Sequence, residues 1–154
     1  MEGNLDYNDT VLSEFDIVIA AVHSGFEQDK DKLTKRLVKA CQNKYVNMIA
    51  HPTGVHLGKR EAYDIDFKEI CKAAVDHNVF LEINSFPYRL DLNSANVYFA
   101  RKQGVKFVIN TDSHHMDHMK FMRYGISIAR RGWLTKEDVL NTRSLKEVER
   151  LIKK

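Results

Sequence analysis

Apolar residues fall along the chain in two alternating rhythms. Short runs rich in Val and Ile, with little polar alternation inside them, stand at Asp16–Val22, Val46–Ala50, Val79–Ile83 and Val105–Asn110. Between them, at Asp31–Asn43, Asp66–His77 and Ser94–Gln103, apolar positions recur at helical spacing. Leu33, Leu37, Val38 and Cys41 form one such face, and Phe67, Ile70, Cys71, Ala74 and Val75 form another. Strands without polar alternation are covered on both sides, as parallel strands are. Repeated β-α-β units with short connections build either a doubly wound sheet or a barrel. After Asn110 the pattern loosens: Lys120–Ala129 suits a short helix or a further strand, while Thr135–Asn141 and Leu145–Lys154 read as closing helices. Thr135 and Ser144 are the N-cap candidates, the first with Asp138 three residues on, as in a capping box. The expectation is one α/β domain over residues 1–154, with parallel strands alternating with helices.

Composition narrows the function classes. With 154 residues and 44% hydrophobic content, the chain is long enough to bury a single core. No apolar run approaches the roughly 20 residues that span a bilayer. The opening Met-Glu-Gly-Asn-Leu-Asp-Tyr has neither a basic nor an apolar leader region, so the reading is a cytoplasmic protein without a membrane role. Cys41 and Cys71 both lie in helical patterns, far from any CxxC spacing, and are expected as buried thiols. A net charge of +3 tolerates a polyanionic substrate without demonstrating one.

Chemistry enters where the strand patterns end. DIVIAAVHSG ends in His23, VNMIAHPTG in His51, VFLEINSFP in Glu82 and Asn84, and VKFVINTDSH in Asp112 and His114. In parallel α/β architectures the C-terminal strand ends converge on one rim, where active sites are built. Imidazole and carboxylate together suit Zn²⁺, Mn²⁺ or Fe²⁺, and such clusters activate water and neutralise phosphoryl oxygens. Each piece has a bland reading: a histidine after a strand is often structural, and Asp112 could cap the helix that follows. Four coincidences at equivalent strand ends favour a joint origin in one site. His56, His77, His115 and His118 read as surface or helix-end residues. The loop PTGVHLGKR brings Lys59 and Arg60 to the rim, either for phosphate or as solvated bases in an ordinary turn. In FPYRLDLN, Arg89 either pairs with Asp91 or faces a phosphate, and Phe86 and Tyr88 either stack on bases or pack internally.

Taken together, LDYNDTVLSEFDIVIAAVHSGF, IAHPTG, LEINSFPYRLDL and NTDSH resemble the PHP (polymerase and histidinol phosphatase) superfamily, and most of all the PHP domain of bacterial and archaeal family X DNA polymerases. The resemblance covers about residues 5 to 115 in order. It implies a distorted barrel of seven β/α units, with up to three Mn²⁺ or Zn²⁺ ions at the C-terminal rim and phosphoesterase chemistry such as trimming of DNA 3′ ends. By matching motifs it implies metal ligands at His23, His51, Asp112 and His114, with Asp112 and His114 also in the catalytic role. Asn84, Arg89 and Lys59 would lie toward substrate. His23 and His51 would share one metal, while Asp112 and His114 would each serve a different one.

The departure from the family pattern lies upstream. The opening His-x-His motif, a later His and a bridging Glu have no counterpart here, since family spacing places that Glu before Met1 and Glu2 does not replace it. The expectation is therefore the C-terminal portion of a PHP-type barrel, holding fewer metal ions and only weakly active alone. Its partners would be DNA or another phosphate ester, with the upstream PHP half and polymerase modules in the intact protein. A barrel edge left open invites a homodimer. Two readings compete: a small-molecule phosphomonoesterase of the histidinol-phosphatase type, and a catalytically dead module that binds DNA or a partner.

Overall fold

A computed structural model describes residues 2–152. Strands β1 (Val18–Ala20), β2 (Val46–Ile49), β3 (Phe80–Asn84) and β4 (Phe107–Asn110) pair in parallel, in the order β1-β2-β3-β4. A doubly wound sheet reverses its strand order at a switch point. Here the order never reverses, and helices α2 (Lys30–Gln42), α3 (Phe67–Asp76), α4 (Ser94–Lys102) and α5 (Met122–Arg131) share one core cluster with the strands. The result is an open sheet wound in one direction, the arrangement of a section of a β/α barrel.

Local chemistry starts each helix. The side chains of Asp29, Asp66 and Asn93 accept the backbone N–H groups of Lys32, Glu69 and Asn96 at the starts of α2, α3 and α4. A short helix, α1 (Asp9–Leu12), is capped in the same way by Asn8 and lies in a stretch whose apolar pattern announces no element. The ambiguous segment after Asn110 resolves to a 3₁₀ turn at Met116–Phe121 running into α5. The helix expected over Thr135–Asn141 does not form. Thr135 and Asp138 make the capping box, but Val139 turns extended, is buried, and bridges to Phe107. Covering the sheet with Val139 splits the segment into two 3₁₀ turns, Lys136–Asp138 and Leu140–Thr142. The closing helix α6 (Leu145–Ile152) forms as expected, its last two expected positions lying outside the described residues.

Period-two alternation divides the work of the sheet between its faces. Leu81, Ile83, Phe107 and Ile109 pack with α2 through α5. On the other face, Met48, Phe80 and Val108 meet Leu140, Val148, Leu151 and Ile152, so α6 closes the apolar end of that face. Two asparagines hold α6 down. Asn47 donates to the carbonyl of Ile152 at 2.9 Å and Asn78 to that of Leu151 at 2.8 Å, satisfying acceptors that a helix end leaves open. Further along the same face the alternate positions become Glu82, Asn84 and Asn110. One surface is thus core at its N-terminal end and polar at its C-terminal rim.

Cys41 and Cys71 are buried thiols in the helix-side core, and burial beside Cys41 pushes Cys71 up to about 12. Strand β1 stands at the sheet edge, with Ile19 on the inner face 50% exposed. No helix among the described residues is long and apolar enough to cross a membrane.

Asp138 ties the closing segment to the sheet. It accepts from Thr135 N and Oγ1 at 3.0 and 3.1 Å, from Arg101 Nε at 3.2 Å and from Lys106 Nζ at 2.9 Å. Burial raises its carboxyl, but the Thr135 N–H, Lys106 and Arg101 outweigh that and hold it at about 2. A depressed folded-state pKa contributes stability above the unfolded value of about 3.9 that is lost as pH falls through the folded value. We predict that Asp138→Asn lowers unfolding free energy near neutral pH by about 1 kcal/mol after allowance for screening. In urea melts across pH, the gap from the parent chain closes between about pH 4 and 2; a gap unchanged over that window contradicts the assignment.

Candidate functional site

The rim begins where β2 ends. His51 follows after Ala50, with its backbone in the left-handed region at φ 32°. That conformation is costly for a residue with a side chain and persists only where the surroundings impose it. What imposes it is visible: the His51 N–H donates to Glu82 Oε2 at 2.6 Å, in the interior of β3. The imidazole is buried, and its Nδ1 has no hydrogen-bond partner among the described residues. Burial, then the nearby charges of Arg89 and His23, pull its pKa down to about 4 against the opposing pull of Asp112, so the ring is neutral near pH 7. Neutral imidazole is the form that coordinates a metal. His23, exposed after β1, lies with its ring centroid 5.5 Å from that of His51.

Glu82 joins three strand ends. Besides His51 N, its Oε2 accepts Asn84 Nδ2 at 3.0 Å, and its Oε1 accepts Asn110 Nδ2 at 2.9 Å. Burial pushes its carboxyl up, while these three donors pull the other way. Asn84 passes the connection on, because its Nδ2 also reaches Asp112 Oδ2 at 3.3 Å. Asp112, like His51, adopts positive φ, at 50°. Arg89 Nε closes on the same Oδ2 at 3.0 Å. His114 is exposed and its Nδ1 lies 2.8 Å from the Asp112 carbonyl. A carbonyl can only accept, so Nδ1 carries a proton, and in the neutral ring Nε2 holds the lone pair.

Several expectations change in this setting. Arg89 pairs with Asp112 and not with Asp91. Asp91 is fully buried and accepts instead from Thr53 N and Oγ1, which clasps the loop after His51. Burial pushes Asp91 up to about 6 despite those bonds. Asn84, placed toward substrate by the resemblance, has 0% exposure, and its amide is engaged by Glu82 and Asp112, so it supports Asp112 from behind. Lys59 is exposed on the turn bridged by His56 and Arg60. His77 ends α3 as its position suggests, whereas His118 is half-buried and its Nδ1 accepts the His114 N–H at 3.2 Å.

Sequence reasoning missed the brace between the first two histidine loops. Tyr63 Oη donates to the Val22 carbonyl at 3.2 Å, and Arg60 stacks 3.9 Å over Phe26 while facing the Tyr63 ring. Gly54, at φ 63°, lies under the Tyr63 ring so closely that a Cβ would fall 1.8 Å from a ring carbon. The glycine in HPTG is required by that contact. No periodicity marks GKREAYDIDF, and only the glycine hints that something passes close.

The donor set at His23 and His51, one of them a buried neutral ring with an unsatisfied nitrogen, fits a borderline divalent ion such as Zn²⁺ or Mn²⁺. Among the described residues no three His, Cys, Asp or Glu side chains converge tightly enough to hold a metal ion. Asp112 has one oxygen engaged by Arg89 and Asn84.

No family model matches the chain. Comparison with curated proteins is more informative. The chain is 46% identical over 153 residues, 99% of its length, to the DNA polymerase/3′-5′ exonuclease PolX of Bacillus subtilis, of which it spans 27%. It is 32% identical over 150 residues to a probable phosphatase of a Thermoanaerobacter species, spanning 59% of that protein. To a probable phosphatase of Caldanaerobacter subterraneus it is 30% identical over 122 residues, spanning 46% of it. The resemblance read from the histidine-bearing strand ends therefore holds: over nearly its whole length the chain is similar to part of a family X DNA polymerase and to part of probable phosphatases, and its open parallel α/β sheet is consistent with a section of a PHP-type barrel.

Proposed function

We propose that this segment contributes a metal-dependent phosphoesterase site of the 3′-5′ exonuclease type, with DNA as its substrate. The observation that carries the reading is His51: a buried, neutral imidazole with an unsatisfied nitrogen, in a costly backbone conformation beside His23. His23 and His51 would share one ion, and Asp112 and His114 would each offer a ligand to others, His114 through Nε2. Bound divalent ions would activate water and neutralise phosphoryl oxygens. Arg89 holds Asp112 in place, and its N–H groups not engaged by Asp112 and the Val55 carbonyl suit a phosphoryl oxygen. Lys59 adds an exposed positive charge on the loop that follows His51. Two protein ligands bind a metal far more weakly than three or four, so this chain alone would hold few ions and turn over slowly.

The related phosphatases support a second reading, hydrolysis of a phosphomonoester at the same residues. One experiment separates them. The chain is loaded with Mn²⁺ or Zn²⁺, passed through gel filtration and analysed for bound metal, then offered single-stranded DNA and p-nitrophenyl phosphate. We expect weak, metal-dependent shortening of DNA from its 3′ end, with metal retention and hydrolysis both lost in His51→Ala. Faster turnover of the phosphomonoester would favour the second reading. Hydrolysis that survives chelation, or that is indifferent to His23→Ala and His51→Ala, would overturn both.

Glu82 gives a separate test. Glutamine in its place turns an NH₂ group toward donors that need an acceptor, so Glu82→Gln should lower unfolding free energy by about 2 kcal/mol. Metal retention should fall with it, because the His51 backbone loses its anchor. Urea melts and metal analysis on one preparation check both; an unperturbed variant would show that the hub is dispensable.

The exposed edge of β1 motivates a homodimer, with Ile19 and the neighbouring Phe15 and Ile17 covered by a second copy. Sedimentation velocity at rising micromolar concentration should show a dimer boundary, and an unchanging monomer would rule it out.

A further inference from the structure

Beside Asp112 and Arg89, six rings run in a continuous ribbon from the loops that follow β2 and β3, over the 3₁₀ turn Met116–Phe121, to the first turn of α5. His56 stacks on Tyr88 at 6.1 Å and 8°, and Tyr88 meets Phe86 at 5.8 Å. Phe86 meets His118 at 5.2 Å, His118 stacks on Phe121 at 5.4 Å and 25°, and Phe121 on Tyr124 at 6.0 Å and 27°. The ribbon belongs to the rim, since Arg89 follows Tyr88 directly and His118 Nδ1 accepts the His114 N–H. A satellite core would hide these rings. Here Tyr88 is 60% exposed, the other five are half-buried, and Met116 and Met119 are exposed on the same 3₁₀ turn as His118 and Phe121.

Cations flank the rings. Lys120 sits over Phe121, Arg123 lies 4.9 Å over the Tyr124 ring and bonds its hydroxyl at 3.0 Å, and Lys59 projects from the loop whose Leu57 N–H is held by the Tyr88 carbonyl. The carboxylate on the same 3₁₀ turn, Asp117, lies 3.4 Å from His115. Flat apolar faces alternating with positive side chains match a polymer of flat bases on a phosphate backbone. We infer that this ribbon is a base-stacking platform for single-stranded nucleic acid, seating the bases next to the phosphate to be cleaved. The inference rests on the phosphoesterase reading for the site it serves and deepens that reading by naming how the strand is gripped.

Binding can be measured without turnover. Anisotropy of labelled oligothymidylate, and of an abasic deoxyribose-phosphate chain of equal length, is followed in EDTA with the whole chain. We expect oligothymidylate to bind more tightly than the abasic chain. Tyr88→Ala should weaken oligothymidylate binding about 5- to 100-fold while leaving abasic binding unchanged, and Tyr88→Trp should restore it. Phe121→Ala is the second variant, checked by circular dichroism. Equal affinity for the two polymers, no binding of either, or indifference of oligothymidylate binding to both alanine variants would overturn the platform. The two readings fail separately: base-dependent binding with no metal-dependent hydrolysis keeps the platform and removes the phosphoesterase, while DNA hydrolysis with base-indifferent binding does the reverse.

Discussion

The buried carboxylate of Glu82 accepts hydrogen bonds from the ends of three neighbouring strands, and the rim is organised outward from it. A buried carboxylate without a cation is tolerated only when donors surround it. Here the donors are the His51 backbone, Asn84 and Asn110, and satisfying the charge fixes the heights of β2, β3 and β4 relative to one another. Through Asn84 the constraint reaches Asp112, and through Asp112 it reaches Arg89. Asp91 does the equivalent in the neighbouring loop, gripping Thr53 so that the chain after His51 cannot swing away. The proposed ligands His51 and Asp112 are thus held by side chains that are not among them.

The same face of the sheet explains why this polar cluster does not undermine the fold. Its lower half, Met48, Phe80 and Val108, is closed by α6, whose last carbonyls are held by Asn47 and Asn78. Core and site share strands but not residues. The helix-side core, from Leu33 through Val97 to Ala129, meets the rim at Val22 and Tyr63, which brace the first two histidine loops.

Much of this was legible in the sequence because it follows from short-range rules. The strand runs and the helices over Lys30–Gln42, Phe67–Asp76 and Ser94–Lys102 stand within a few residues of where periodicity puts them, since caps and apolar spacing are local properties. His23, His51, Asp112 and His114 do emerge on one rim, because parallel strands share a direction. What periodicity could not convey was partnership. The sequence offered Asp91 to Arg89, two residues away, but the folded chain gives that arginine to Asp112 and uses Asp91 across the sheet. Asn84 and Glu82 looked like rim residues and turn out to be interior supports. The closing segment at Val139 broke its expected helix for a tertiary reason, the need to cover Phe107, which no local pattern records.

His51 and Asp112 share a property that reaches beyond chemistry. Both hold their backbones where glycine would be at ease, at φ 32° and 50°. Glycine would relax the backbone at both positions but would remove the imidazole and the carboxylate, and with the latter the bonds to Arg89 and Asn84, so backbone ease and the rim's side chains pull in opposite directions there. The same backbone region is occupied by Asn78, Leu90 and Trp133, so at the rim a left-handed backbone fixes where the chain turns, and the residue placed there decides what the turn presents.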